Sequence, residues 1–132
     1  MSEATRFLTL EDVIALHDLQ IEEFGGSHGI RDNNLLESAV GMAQSSFGGQ
    51  FMHETLFDMA SAYAFHIAQK QALIDGNKRT GLITALVFLD INGISLNKPS
   101  DKLYLALIEI AENKMDKEGF SKLLQSLSEE TR

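Results

Sequence analysis

The sequence predicts an all-α fold, a single domain of about six helices spanning residues 1–132. Apolar residues recur at the spacing of a helix face over most of the chain, and residues typical of helix starts and stops separate these stretches. With 132 residues, 44% of them hydrophobic, the chain can bury one modest core. It contains no internal repeat, linker or low-complexity tract.

The first two helices are predicted from their N-caps. Thr9 and Asp12 resemble a capping box, and Gly25-Gly26 stops the helix that follows. Asp32 is the N-cap candidate of the second helix. The apolar face of the first helix contains Leu10, Val13, Ile14, His17, Ile21 and Phe24, and that of the second contains Leu35, Leu36, Ala39, Val40 and Ala43.

The next two helices are predicted to form the centre of the fold. Residues 45–53, with two adjacent glycines, are expected to be a flexible loop. A third helix should run from about Glu54 to Lys70, and a fourth should follow the Asp75-Gly76 turn and end at Asn92-Gly93. Helices that are apolar almost all round, as both of these are, are buried ones. The loop of residues 71–76 would then join two buried helices.

The C-terminal part is predicted to add two further helices. Residues 94–96 can form a short extended piece, and Pro99-Ser100 would open the fifth helix. Asp116 is the N-cap candidate of the sixth. Residues 128–132 are expected to be frayed.

The composition indicates a soluble, cytoplasmic protein that binds no nucleic acid. The formal net charge is −8, whereas a general nucleic-acid binder needs a basic face. The absence of cysteine excludes a disulfide framework and thiolate chemistry, and it fits a reducing compartment. No apolar run reaches the roughly 18 residues of a membrane span, so we expect no membrane association.

The hexapeptide DGNKRT, residues 75–80, is the clearest candidate site. Asp75-Gly76 reads as a turn and Asn77 as the N-cap of the fourth helix. Lys78 and Arg79 then lie at the positive end of the helix dipole, where exposed cations cost roughly 0.3–1 kcal/mol each. Their position is explained if an anion binds there, because free backbone N–H groups and two cations together form a phosphate site.

The histidines offer no comparable signal. His17, His28, His53 and His66 lack the spacing of metal ligands on one helix face. His17 and His66 lie on apolar helix faces, and we interpret both as hydrogen-bonded core residues rather than as catalysts.

The motif resembles that of a known family. Residues 74–93, IDGNKRTGLITALVFLDING, are similar to the core motif of the death-on-curing (Doc) branch of the Fic superfamily, H-x-F-x-[D/N]-[G/A]-N-K-R-T before an apolar helix ending in Asn-Gly. The resemblance covers nearly the whole chain, from about Leu8 to Asp116, because upstream segments also resemble the Doc pattern in the same order. They are LTLEDVIALHDLQIEEFGG, GIRDNNLLESAV, SSFGG and AYAFHIA.

The resemblance implies an all-α Fic/Doc domain that binds ATP or another nucleoside triphosphate with Mg²⁺. Asp75 would hold Mg²⁺, and Arg79 would clamp a phosphate. Gly76 and Asn77 would form the anion-holding turn, with the Asn77 side chain on a phosphate. Thr80 is also expected to contact the nucleotide.

The resemblance also implies a reaction. Lys78 stands where adenylylating Fic enzymes have Gly, and Leu82 where they carry a second Arg. Both differences favour the Doc type, which transfers the γ-phosphate of a nucleotide to a protein hydroxyl. The family target is elongation factor Tu, and a small antitoxin holds the toxin inactive. The [S/T]-x-x-x-E-[G/N] pattern of Fic proteins inhibited in cis is absent, so we expect an antitoxin in trans, folding as a helix into an apolar groove.

One departure bears directly on catalysis. The motif His, the general base of the family, is replaced by Gln71, and the next two positions are Ala72 and Leu73. An amide does not titrate near neutral pH, and general-base catalysis contributes about 10²–10⁴ in rate. Two interpretations remain open: a Doc-like phosphotransferase weakened at Gln71, or a pseudoenzyme that binds nucleotide or a partner. Three adjacent differences favour natural divergence over a single inactivating mutation.

Overall fold

The computed structural model describes residues 4–96 and 101–130. Six α-helices account for most of these residues, so the all-α prediction is confirmed. None of the described helices is both long and apolar enough to span a membrane. The elements are α1 (Leu10–Phe24), α2 (Asn33–Gly41), a 3₁₀ helix (Met42–Gln44), β1 (Ser46–Phe47), β2 (Gln50–Phe51), α3 (Leu56–Lys70), α4 (Asn77–Ile91), α5 (Asp101–Ala111) and α6 (Lys117–Glu130).

The helix-start signals of α1, α2 and α6 are confirmed. Thr9 and Asp12 form a full capping box, in which each side chain accepts the other residue's backbone N–H at 2.8–3.1 Å. Asp32 accepts the N–H of Leu35 at 3.0 Å, and Asp116 accepts that of Gly119 at 2.8 Å. Gly25 ends α1 with a φ of 87°. Local side-chain chemistry therefore sets these boundaries.

Two local predictions need correction. Residues 45–53 are not a plain loop, because β1 and β2 pair as a small antiparallel hairpin. Gly48 and Gly49 form its turn with φ values of 59° and 83°, as a tight two-residue hairpin requires. Residues 94–96, predicted as a short extended piece, belong to neither a helix nor a strand, and no further observation tests that prediction. The expected fraying at 128–132 is wrong for 128–130, which continue α6; Pro99-Ser100 and residues 131–132 lie outside the described residues.

Helix α3 is the centre of the core, with α2, α4, α5 and α6 packed around it. Its Tyr63 is fully buried, and the hydroxyl bonds both the N–H and the C=O of Leu8. Burial raises the pKa of that phenol to about 12. Helix α4 differs from the prediction, since only one of its faces is buried. Its outer apolar side chains are half-buried: Leu82, Ile83, Leu86 and Val87.

His66 on α3 is buried, as predicted, but it is not hydrogen-bonded. Its side chain is 8% exposed, and neither ring nitrogen has a partner among the described residues. Desolvation, with smaller contributions from Lys117, Lys70 and His53, lowers the pKa of His66 to about 4. Burial and Lys117 also lower the pKa of His53, although Asp58 partly opposes them. The core therefore holds a histidine that stays neutral in the folded chain.

This arrangement predicts that the protein loses stability in mild acid. Between pH 6.5, the ordinary pKa of histidine, and about pH 4, His66 is protonated in the unfolded chain but neutral in the folded chain. The free energy of unfolding should therefore fall as the pH drops through this window, by up to about 3 kcal/mol, and level off below it. Urea unfolding across this range measures the effect, and His66→Leu should flatten the pH dependence.

His28→Leu serves as the control, because His28 is exposed. This variant should retain the pH dependence of the parent. An equal dependence of the free energy of unfolding on pH in the parent and in His66→Leu would contradict the prediction.

Candidate functional site: the turn before helix α4

A cavity of about 300 Å³ lies where α3 ends and α4 begins. It brings together every predicted site residue except Thr80, with three further residues that complete the wall. Its lining consists of Ala68, Gln71, Ile74, Asp75, Gly76, Asn77, Lys78, Arg79 and Tyr104.

The start of α4 carries no side-chain cap, unlike those of α1, α2, α3 and α6. The N-cap is Gly76, with a φ of 75°, so the prediction of Asn77 as the cap is wrong. The first intrahelical bond joins the N–H of Thr80 to the C=O of Gly76 at 2.9 Å. The N–H groups of residues 77–79 therefore have no acceptor within the helix, which is the arrangement that binds anions.

Asn77 uses its side chain to close the turn. Its Oδ1 accepts the N–H of Leu73 at 3.0 Å, and its Nδ2 donates to the C=O of the same residue at 3.1 Å. The amide thus satisfies both polar backbone groups of a buried residue. The amide side chain is therefore committed to the loop, and the backbone N–H of Asn77 has no acceptor within the helix.

Asp75 is held from three sides. Its Oδ1 accepts the N–H of Gly76 at 2.9 Å, and its Oδ2 accepts that of Ser27 at 3.2 Å. Its backbone C=O accepts a hydrogen bond from His17 Nε2 at 2.7 Å, which fixes the proton on that nitrogen. His17 is 2% exposed, so its interpretation as a hydrogen-bonded core residue is confirmed. Its contact with the turn could not be found from the sequence.

Lys78 and Arg79 have no carboxylate within 4.0 Å among the described residues, whose ion pairs are His28–Asp18 and Lys114–Glu112. The guanidinium of Arg79 lies over the ring of Phe24, 4.5 Å from its centroid, and 5.8 Å from that of Tyr104. These aromatic faces hold the side chain without neutralising its charge. Both cations remain available to an anion.

Gln71 lies at the C-cap of α3 and is one of the residues that line the cavity. Its backbone is left-handed, with φ 51° and ψ 46°. Thr80, in contrast, is fully buried and its hydroxyl has no partner in the described structure. It lies outside the cavity lining, so the structure does not place it with the other predicted contacts.

The donor set fits Mg²⁺ shared with phosphates better than a metal held by protein alone. No group of three or more His, Cys, Asp or Glu side chains among the described residues could hold a metal ion. Mg²⁺ commonly binds one or two carboxylates and completes its shell with phosphate oxygens and water. Asp75 can supply that one carboxylate, since each of its oxygens has lone pairs beyond the bonds already made.

A second, more apolar groove of about 450 Å³ adjoins this cavity, between α1, α4 and α5. Arg79 and Tyr104 line both spaces. The remaining lining residues of the groove are Gln20, Glu23, Phe24, Leu82, Ile83, Leu86 and Asp101.

Comparison with known proteins identifies the family of this chain. Residues 7–89 match the sequence profile of the Fic/DOC family. The chain is 39% identical over 92 residues to Toxin Doc of Mycolicibacterium smegmatis, covering 70% of this chain and 68% of that protein. It is 34% identical over 91 residues to Protein kinase doc of Escherichia phage P1, covering 69% of this chain and 71% of that protein. The chain therefore belongs to the Fic/DOC family, in its Doc branch.

Proposed function

We propose that this protein is the toxin of a toxin–antitoxin system, and that its motif cavity binds a nucleoside triphosphate with Mg²⁺ for phosphotransfer to a protein hydroxyl. The main support is the start of α4. It combines an uncapped N-terminus with two cations that have no carboxylate partner in the described residues. Relatives named Toxin Doc and Protein kinase doc favour the same activity.

The proposed roles follow from the geometry. The N–H groups of residues 77–79 bind phosphate oxygens, and Lys78 and Arg79 balance the charge of the transferred group. Asp75 holds Mg²⁺, which neutralises charge on the phosphate oxygens when it is bound. The target oxygen forms a bond to the γ-phosphorus while the bond to the β–γ bridging oxygen breaks. A nucleoside diphosphate leaves, and the hydroxyl proton must pass to a base.

That base is the missing part. Gln71 stands at the family's position for it and cannot accept a proton near neutral pH. His66 does not replace it, because this side chain is buried and lies outside the cavity lining. His17 is also buried, with Nε2 already donating to Asp75. We propose a transfer rate about 10²–10⁴ below that of a relative with the base.

The second candidate function is a pseudoenzyme that binds nucleotide or a partner without transferring phosphate. The neutral side chain at Gln71 favours this alternative. Lys78 and Arg79 have no carboxylate partner among the described residues, so we expect anion binding to be retained under both proposals. A measurement of phosphate transfer therefore distinguishes the two functions, whereas a measurement of nucleotide binding does not.

We further propose that the apolar groove between α1, α4 and α5 takes a helical segment of an antitoxin. Half-buried Leu82, Ile83 and Leu86 can receive the apolar face of such a helix. The phosphorylated target would be a cytoplasmic protein, with elongation factor Tu as the first candidate.

Nucleotide binding should depend on the two cations. We expect Lys78→Ala with Arg79→Ala to weaken binding of ATP with Mg²⁺ by about 100-fold or more, because two charge-assisted contacts of roughly 1.5–3 kcal/mol are lost. Calorimetry measures the affinity. Lys114→Ala with Lys122→Ala removes the same charge elsewhere and should leave it unchanged. Equal affinities of all three proteins would refute the phosphate site.

Thermal unfolding of the same variants checks that the fold survives. Lys78→Ala should stabilise the chain by about 0.3–1 kcal/mol, because it removes a cation from the positive end of α4. Arg79→Ala relieves the same dipole cost but loses the contact with Phe24, worth about 0.5–1 kcal/mol, so its net effect on stability should be close to zero.

Restoring the base should restore transfer. Gln71→His places a titratable group in the cavity wall, and we expect phosphotransfer to elongation factor Tu to rise at least about tenfold. Transfer of labelled γ-phosphate measures the rate, and expression without an antitoxin should become toxic to cells. Gln71→Asn is the matched control, an amide that should add no activity. A Gln71→His variant that binds nucleotide but transfers nothing favours the pseudoenzyme.

Antitoxin binding should depend on the apolar groove. Leu86→Asp places a charge among half-buried apolar residues and should weaken the complex with the product of the neighbouring gene at least about tenfold. Co-purification followed by calorimetry measures the affinity. Leu105→Asp makes the same change on the exposed side of α5 and should bind normally. Failure of the unaltered chain to form any complex would count against the partner.

A further inference from the structure

Arg31 connects the segment after α1 to the end of α3. Its Nε donates to the C=O of Gln71 at 2.8 Å, and its Nη2 donates to the C=O of Lys70 at 3.2 Å. The backbone N–H groups of Arg31 and Asp32 both donate to the C=O of Ala72, at 2.7 and 3.0 Å. Residues 31–32 therefore contact three successive carbonyl groups at the end of α3.

The backbone that Arg31 contacts is strained. Gln71 is one of two described non-glycine residues with a positive φ, the other being Asn113. A left-handed residue at a helix end is usually glycine, because a Cβ makes this conformation unfavourable. Such a conformation persists only where the surroundings hold it. The chain must therefore supply contacts that keep residue 71 in this state.

The side chain of Arg31 suits that task. The last carbonyl groups of a helix lack intrahelical donors and form the negative end of its dipole. A guanidinium presents several N–H donors in one plane, so it can bond two neighbouring carbonyls at once. The two bonds reach the carbonyl groups on either side of the φ and ψ rotations of residue 71. They therefore restrain both rotations.

We propose that Arg31 is a positioning residue, which holds residue 71 in the left-handed conformation and so directs its side chain into the motif cavity. The proposal deepens the proposed function and rests on it, because this direction affects a rate only if transfer occurs there. Arg31 touches neither nucleotide nor target. Its effect passes through the backbone of residue 71, the position where a base would stand.

Kinetics of the Gln71→His chain test the effect on transfer. Arg31→Met in that chain should lower kcat at least about tenfold, because a misdirected base loses its alignment. The KM for nucleotide should stay within about twofold, since the start of α4 is untouched. Arg31→Lys should recover part of kcat, as it retains a single donor group. Arg6→Met is the matched control, because Arg6 is exposed and makes its hydrogen bonds with Asn92 through its backbone.

Two kinetic results would overturn the proposal. The first is an equal kcat with and without the Arg31→Met substitution in the Gln71→His chain. The second is a fall in kcat that Arg31→Lys does not relieve at all.

Hydrogen exchange tests the same proposal without any activity. In the chain with Gln71, Arg31→Met should speed exchange of the amides of Asp32 and Ile74 at least about tenfold, because the loop opens more often. The amide of Tyr63 in the centre of α3 should not change. Unchanged exchange in the loop would refute the role of Arg31. If the Gln71→His chain transfers no phosphate at all, only the proposed function fails, and exchange still decides this inference.

Discussion

The site depends on how closely α3 and α4 approach each other. At their crossing, a Cβ on Gly81 would lie 2.9 Å from the carbonyl oxygen of Ala64, a distance that side chains do not tolerate against rigid backbone. Glycine at this position lets the two helices pack directly against each other. The end of one helix and the start of the other are thereby fixed, and the loop of residues 71–76 has to fit between them.

A loop under this constraint needs partners for its backbone, and residues both near to it and distant from it in the sequence supply them. Asn77, His17 and Arg31 bond the carbonyl and amide groups of the turn, while the C=O of Gly29 accepts the N–H of Ile74 at 3.1 Å. These contacts provide hydrogen-bond partners for polar backbone groups of the loop. Asn77, Lys78 and Arg79, at the start of α4, line the cavity on the other side of the loop. Since Arg79 lines both the cavity and the apolar groove, a ligand that moved this side chain in one space would also change binding in the other.

The helices could be predicted from the sequence, but the contacts between them could not. Capping residues and apolar spacing are local signals, and they located the starts of α1, α2 and α6. The cap of α4 was mispredicted because Gly76 and Asn77 both suit a helix start, and only the buried backbone of Leu73 decides where the Asn77 amide goes. Thr80 belongs to the family motif and is therefore an expected nucleotide contact, but the rotation of successive residues around α4 places its side chain in the core. No local sequence pattern indicates that the ring nitrogens of His66 lack hydrogen-bond partners among the described residues.

The buried, neutral His66 has a consequence for handling the protein. The sequence pI is about 4.8, so electrostatic repulsion between molecules is weakest close to that pH. The same pH lies within the window in which protonation of His66 favours unfolded chains over folded ones. Apolar surface would thus become exposed under the conditions in which molecules repel each other least. We therefore expect aggregation to be strongest in mildly acidic buffers and weakest at neutral or slightly alkaline pH.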